Sequence, residues 1–229
     1  MGQHDTDTVD VAETFGNGPM QDFISRTAQE FKVWIVAGTI PLFTDNPNKY
    51  SASSLLYADN GEMVARYDKI HLFDVKVEEE DQVYTESRTV RPGKAATIVD
   101  TPFGRLGMSV CYDLRFPELY RYLSEQGAEI ITIPSAFTEV TGMAHWESLL
   151  RARAIENLCY VVAPAQGGYH VNGRTTWGHS MVVDYWGRVR GQLDKGAGVV
   201  VIDPDLEALR ATRKSFPVLE HRCPVGTLI

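Results

Sequence analysis

The sequence predicts an α/β fold whose layered sheets contain both parallel and antiparallel strands. Three observations support this class. From residue 117 onward, segments with helical spacing alternate with short apolar runs that are typical of strands. Earlier in the chain, turn sequences separate runs that read as β-hairpins. With 229 residues, of which 44% are hydrophobic and 23% charged, the chain can bury one large core, so we expect a single domain over residues 1–229.

The first helix and strand follow an irregular opening. Gly18 and Pro19 introduce a helix of about three turns, since apolar residues then recur at helical spacing. These residues are Met20, Phe23, Ile24, Ala28 and Phe31. Residues 32–40 are a continuous, mostly apolar run, which predicts a strand covered on both faces.

Two hairpins and one long loop are expected next. Asp59-Asn60-Gly61 is a turn sequence between two strand-like runs, and residues 96–111 predict a second hairpin. Between them, residues 69–92 look like a loop. A loop of this length within a compact domain is usually functional or disordered.

The second half predicts a helix that begins at Pro117 and ends near Gly127. Residues 129–135 and 159–166 read as strands, and residues 145–158 between them read as a helix. Further strands are expected in the runs H-S-M-V-V-D and G-V-V-V-I-D, followed by a short helix in D-L-E-A-L-R-A-T-R.

Charge and cysteine content exclude several classes of protein. A net charge of -8 without a Lys/Arg cluster argues against nucleic acid or an anionic membrane as a partner. The opening ten residues are polar and no run has the length of a membrane span. Three widely spaced cysteines with no CxxC pair predict neither a disulfide framework nor a zinc site. We therefore expect a cytoplasmic protein that acts on a small molecule.

Cys111 is the first candidate for chemistry. A lone cysteine on a strand is most often a small buried hydrophobic residue. However, Cys111 lies at the predicted carboxyl end of a strand, ahead of a helix that begins with proline, where helix N–H groups favour a thiolate. Cys159 and Cys223 have no such context, and we expect both to be structural.

Lys69 and Glu86 are weaker candidates on their own. Each lies near or within the long predicted loop, where a charged side chain is usually only solvated. The six histidines show neither H-x-H nor HExxH spacing, and no phosphate-binding GxxxxGK[ST] or GxGxxG motif occurs. We therefore expect no metal and no cofactor.

Three segments taken together resemble the nitrilase, or carbon–nitrogen hydrolase, superfamily. They are Y-D-K-I-H-L-F-D around Lys69, Y-T-E-S-R-T-V-R-P-G around Glu86 and G-M-S-V-C-Y-D-L-R-F-P-E around Cys111. The segments I-P-S-A-F-T, T-G-M-A-H-W-E-S-L-L-R-A-R-A-I-E-N and W-G-H-S-M-V-V-D-Y-W-G extend the resemblance over nearly the whole chain. Within the superfamily the chain is most similar to the deaminated glutathione amidase branch, and the omega-amidase branch is its neighbour.

The resemblance implies an α-β-β-α sandwich that forms a homodimer and uses a Cys-Glu-Lys triad without a cofactor. Cys111 would be the nucleophile, and Lys69 would stabilise the tetrahedral intermediate together with the backbone N–H of Tyr112. Glu86 would be an additional active-site glutamate that holds Lys69 and the substrate nitrogen.

The resemblance also implies a general-base glutamate in a P-E pair that ends an early strand. No P-E pair precedes residue 117, and Glu13 does not lie in a matching segment. We therefore expect that an N-terminal strand, helix and strand are missing from the chain as given. Either Met1 is an internal methionine taken for the start, or the short form is real and leaves a sheet edge uncovered.

The expected function is hydrolysis of a linear amide, such as deaminated glutathione or a related α-keto acid amide, through a cysteine thioester. Omega-amidase activity is the alternative. A catalytically inactive fragment that at most binds ligands is an alternative of another class, and an acyltransferase would need an acceptor-binding segment that is not visible. Phe137, Arg115 and Arg174 are candidate substrate-binding residues, whereas the charged residues of helix 145–158 are expected to form structural ion pairs.

Overall fold

The structure, a computed structural model, describes residues 7–77 and 82–223. Two β-sheets pack face to face, and helices cover their outer faces. The helices are α1 (Asp7–Asp10), α2 (Pro19–Phe31), α3 (Pro117–Glu125), α4 (Glu139–Asn157) and α5 (Leu206–Ser215). The strands are β1 (Ile35–Phe43), β2 (Tyr50–Tyr57), β3 (Met63–Asp68), β4 (Asp74–Val77), β5 (Gln82–Thr85), β6 (Thr97–Thr101), β7 (Gly104–Met108), β8 (Ile130–Thr132), β9 (Tyr160–Ala163), β10 (Gly167–Tyr169), β11 (Thr175–Trp177), β12 (Met181–Val183) and β13 (Val189–Gln192).

The first sheet is an antiparallel meander in the order β1-β2-β3, and the turn at Asp59-Asn60-Gly61 joins its last two strands as predicted. Its central strand β2 is buried at seven of eight positions because β2 has a strand on each side and contacts on both faces. Helix α2 packs on the outer face. There Ala28 contacts a cluster that includes Leu42, Leu55 and Tyr57.

The second sheet has the order β13-β12-β9-β8-β7-β6. Strands β7, β8 and β9 are parallel neighbours, and the outer pairs are antiparallel, so the predicted mixture of pairings is confirmed. Helix α4 packs on β9 and β12, and α3 packs on α4. The largest core cluster joins Leu56 and Tyr67 of the first sheet to Met108 and Ile131 of the second. The α-β-β-α layering is therefore present.

Two predicted elements in the first half differ from the structure. The strand expected at residues 32–40 runs instead from Ile35 to Phe43. Gly38 and Thr39 are exposed, so the prediction that it is covered on both faces was wrong. The sequence 69–92 is not one loop, because β4 pairs with β5 and a 3-10 turn follows at Glu86–Arg88. Residues 78–81 of the expected loop lie outside the described residues.

Two elements of the second half also differ. Helix α4 begins at Glu139, six residues before the predicted start, because the Thr138 hydroxyl caps it by accepting a 3.3 Å hydrogen bond from the Thr141 N–H. The apolar run at 198–203 forms no strand in the described chain, and Val199 and Val201 are exposed there. Within residues 7–77 and 82–223, no helix has both the length and the apolar character that a membrane span requires.

Candidate active site

A cavity of about 600 Å³ opens at the carboxyl ends of the parallel strands. Cys111 follows β7, Pro134 follows β8 and Pro164 follows β9, and all three line the cavity. Loops at the carboxyl ends of parallel strands are where open α/β sheets place their ligands. Lys69, at the end of β3, enters the same cavity from the opposite sheet.

Cys111 occupies a sharp turn between β7 and α3. Its φ angle is 51°, a left-handed conformation that is uncommon for a residue with a side chain. Its N–H donates to the Pro134 carbonyl at 3.0 Å, which ties the turn to the end of β8. The start of α3 is farther from Cys111 than expected, because a 3-10 turn, Cys111–Arg115, lies before Pro117. The backbone N–H that hydrogen-bonds the Cys111 sulfur belongs instead to Ala136.

The electrostatics of the cavity keep the Cys111 thiol protonated near neutral pH. Burial raises the pKa of Cys111 above its ordinary value, and the negative charges of Glu86 and Asp113 raise it further. The Lys69 ammonium and the Ala136 N–H act in the opposite direction without overcoming burial. Ionisation of this thiol at neutral pH therefore needs a proton acceptor.

Lys69 and Glu86, which lie 17 residues apart, form an ion pair in the cavity. The Lys69 Nζ lies 2.6 Å from Oε1 and 2.5 Å from Oε2 of Glu86. The Phe73 N–H donates a second hydrogen bond to Oε2 at 2.6 Å. Because the Lys69 side chain is only 4% exposed, this pairing compensates the desolvation of its charge.

The candidate substrate-binding residues all line the cavity. The Arg115 guanidinium lies 5.3 Å from the Phe137 ring centroid, and desolvation lowers the pKa of Arg115 from its ordinary value. Phe137 is itself mostly buried and packs against Trp146, so little of its ring is exposed. Arg174, near the tip of the β10–β11 hairpin, lies 5.0 Å from the Tyr84 ring. Tyr112 follows Cys111 directly in the 3-10 turn.

Glu13 has a structural position. Its carboxylate accepts hydrogen bonds from the Met20 and Gln21 backbone N–H groups and from the Gln21 side chain, so it caps the start of α2. Glu13 is not part of the cavity lining. Among the described lining residues, Glu86 is the one carboxylate.

Sequence reasoning missed Asp113, which is fully buried two residues after Cys111. Nothing in the pattern C-Y-D-L-R distinguishes a buried carboxylate from a solvated one, because both occur in polar segments after strands. In the part of the chain that the structure describes, no group of three or more His, Cys, Asp or Glu side chains is arranged to hold a metal ion.

The carbon-nitrogen hydrolase family model matches residues 2–214. The chain belongs to the carbon–nitrogen hydrolase family. It is 48% identical to the deaminated glutathione amidase of Yersinia enterocolitica over 219 residues, which is 95% of this chain and 77% of that protein. Against the human deaminated glutathione amidase the identity is 41%, over 95% of this chain and 67% of the relative.

Solved structures confirm the fold of this carbon–nitrogen hydrolase. The C. elegans NitFhit protein superposes with a TM-score of 0.84 at 38% identity, over 97% of this chain and 54% of NitFhit. Saccharomyces cerevisiae Nit3, described as a member of the nitrilase superfamily, superposes with a TM-score of 0.81 at 31% identity, over 93% of this chain and 74% of the Nit3 chain. The expected α-β-β-α nitrilase fold is therefore confirmed.

The three thiols of this carbon–nitrogen hydrolase should react with iodoacetamide in a fixed order. Cys223 is exposed and should react first, and Cys111 should react more slowly because its pKa is raised. Cys159 is fully buried with its pKa raised to about 12, so it should react only after unfolding. Peptide mass spectrometry of timed samples at pH 7 gives the order.

The same measurement at higher pH tests whether the raised pKa causes the slow reaction of Cys111. The rate at Cys111 should rise by about tenfold per pH unit between pH 7 and 8, since the reactive thiolate increases in that proportion below the pKa. A rate at Cys111 that is independent of pH in this range would contradict the raised pKa.

Proposed function

We propose that this carbon–nitrogen hydrolase is an amidase that cleaves a linear small-molecule amide through a thioester on Cys111. The observation that carries the proposal is the convergence of Cys111, Lys69 and Glu86 on one cavity from three separate segments of the chain. Their proximity supports a thiol nucleophile beside a fixed positive charge. A glutamate-to-glutamine mutant of the amidase from Nesterenkonia sp. AN1, 25% identical to this chain at a TM-score of 0.70, bears an acrylamide adduct on its active-site cysteine.

The proposed chemistry has two steps. The Cys111 sulfur attacks the amide carbon, and the negative charge that develops on the carbonyl oxygen is stabilised by the Lys69 ammonium and the Tyr112 N–H. The C–N bond then breaks, and the thiol proton is delivered to the departing nitrogen, which leaves as ammonia or an amine. Water hydrolyses the thioester to a carboxylic acid and regenerates the thiol.

Glu86 has a supporting role in this scheme. Both of its oxygens are engaged by Lys69, and one also accepts from the Phe73 N–H, so it is poorly placed to take the thiol proton. We propose that it keeps the ammonium in position.

The substrate that we propose is deaminated glutathione. Relatives at 40–48% identity carry that name, and deaminated glutathione has two carboxylates. Two arginines, Arg115 and Arg174, line the cavity and match this charge. A shorter keto-acid amide of the omega-amidase type also carries a carboxylate, so the two substrates have to be compared directly.

The inactive binding protein remains the alternative of another class, and one observation favours it. The described lining offers one carboxylate, and that carboxylate is already paired with Lys69. A chain whose cavity offers no unpaired carboxylate to accept the thiol proton would bind the substrate and fail to turn it over. Turnover by the 229-residue chain decides between the two functions.

We also propose that the protein is a cytoplasmic homodimer. Three free cysteines in the described residues are compatible with a reducing compartment. Exposed Met143 and Ile155 on the outer side of α4 support a contact between copies. A monomer in sedimentation at micromolar concentration would contradict the dimer.

Substitution of the proposed nucleophile should abolish activity. Cys111→Ala should lower kcat for hydrolysis of deaminated glutathione by at least about a thousandfold, and Lys69→Met by about a hundredfold, since each removes a group that acts in the transition state. Cys223→Ser is the control and should leave kcat unchanged. Release of cysteinylglycine measures the rate. Undetectable turnover by the unsubstituted chain, or full activity of Cys111→Ala, would contradict the proposal.

Substitution of the cavity arginine should affect anionic substrates selectively. Arg115→Gln should raise KM for deaminated glutathione and for α-ketoglutaramate by about tenfold, because a charge-assisted hydrogen bond to a carboxylate is lost. For a neutral amide of similar size KM should change less than about twofold. Arg188→Gln, at an exposed residue outside the cavity, is the matched control. An equal rise in KM for charged and neutral amides would exclude carboxylate binding by Arg115.

A further inference from the structure

A buried hydrogen-bond network connects the Cys111 turn to the segment that carries Lys69. Its centre is the Asp113 carboxylate, which is fully buried. On the side of the nucleophile, the Val110 N–H donates to Asp113 Oδ2 at 2.8 Å. This bond closes the turn around Cys111, since Val110 and Asp113 flank it.

On the other side, Asp113 holds the residues two positions before and two positions after Lys69 in the sequence. The Tyr67 hydroxyl donates to Oδ2 at 2.7 Å. The His71 N–H donates to Oδ1 at 3.0 Å, and the His71 ring Nδ1 lies 2.7 Å from the same oxygen. The His71 ring is also stacked on Phe116 with 3.7 Å between centroids. Lys69 is therefore bracketed by two residues that share one carboxylate.

The charge of Asp113 has the wrong sign to assist a cysteine nucleophile directly. A carboxylate close to a thiol disfavours the thiolate, and Asp113 does raise the pKa of Cys111. Burying it also carries a desolvation cost, which four donors offset. Asp113 therefore opposes ionisation of the nucleophile, yet its carboxylate is fully hydrogen-bonded between two active-site segments. This combination fits a geometric role.

We propose that Asp113 is a positioning residue that fixes the Lys69 ammonium relative to the Cys111 sulfur by holding Tyr67 and His71 against the Cys111 turn. The proposal rests on the proposed function, in which Cys111 is the nucleophile and Lys69 its cation. It assigns Asp113 no contact with the substrate.

Asp113→Asn tests the proposal by whether alkylation of Cys111 becomes slower or faster. The variant removes a negative charge and, with it, two of the network's four hydrogen bonds, because an amide nitrogen cannot accept from N–H or O–H donors. If Asp113 positions Lys69, alkylation of Cys111 by iodoacetamide at pH 7.5 should slow by about tenfold, because the cation no longer favours the thiolate. If Asp113 acts by its charge alone, alkylation should accelerate. An unchanged or accelerated rate would overturn the proposal.

Tyr67→Phe provides a second variant that keeps the charge and the volume. Tyr67 is fully buried, and burial beside Asp113 raises its pKa far above the ordinary value, so its hydroxyl is a permanent donor. Its loss should slow Cys111 alkylation by about threefold. Tyr120→Phe is the matched control, because Tyr120 is equally buried and its hydroxyl bonds Ser109 rather than Asp113. A merely structural role would lower the melting temperature in both variants and leave Cys111 alkylation unchanged.

A double substitution tests whether the effect passes through Lys69. In a Lys69→Met background, Asp113→Asn should no longer slow alkylation and should accelerate it instead, since only the charge effect of Asp113 is left. Slowing that persists without Lys69 would contradict the positioning role. The rates are followed at the Cys111 peptide in a Cys223→Ser background, over a range of pH that gives the thiol pKa.

The groups that act on the Cys111 thiol in that titration come from several elements. They are Lys69, Glu86, Asp113, Arg115 and Tyr120. The test substitutions alter Lys69 and Asp113, the control alters Tyr120, and Arg115 and Glu86 stay in place. Because alkylation needs no substrate, failure of this proposal and failure of the amidase proposal are separate results.

Discussion

The buried ion pair between Lys69 and Glu86 is the interaction on which the rest of the site depends. An ammonium that is 4% exposed is costly unless a fixed counter-charge compensates it, and Glu86 does so with both oxygens. The pair also joins the end of β3 to the 3-10 turn at Glu86–Arg88. Loss of Glu86 would leave a buried charge beside Cys111, so stability and chemistry are coupled at this point.

The parallel part of the second sheet places the nucleophile opposite this pair. The neighbouring parallel strands end at the same edge of the sheet, at residues 108–111, 132–134 and 162–164. There the Cys111 N–H donates to the Pro134 carbonyl. The left-handed turn at Cys111 directs its side chain into the cavity rather than into the sheet. The Arg153 guanidinium, which donates to the Leu114 carbonyl at 3.0 and 2.8 Å, anchors the same turn to α4.

The sequence was sufficient to predict the layers, two of the hairpins and seven of the residues that line the cavity. Periodicity defined α2 and α3 because each has an apolar face and a proline start. It failed at residues 69–92, where the β4–β5 hairpin is short and polar and its pairing depends on tertiary contacts. It also failed for Asp113, whose burial follows from donors 42 and 46 residues away in the sequence. Long-range partners of this kind leave no local pattern.

The balance of charge around Cys111 constrains how the thiol can be activated. Two carboxylates and burial oppose ionisation, and one ammonium favours it, so the resting thiol is neutral. An anionic substrate would bring further negative charge into this cavity and raise the thiol pKa again unless that charge were paired. Arg115 and Arg174 line the cavity and can supply the pairing. In a cavity of this kind, the arginines that bind a carboxylate also protect the reactivity of the nucleophile, so substrate selection and activation of Cys111 depend on the same charges.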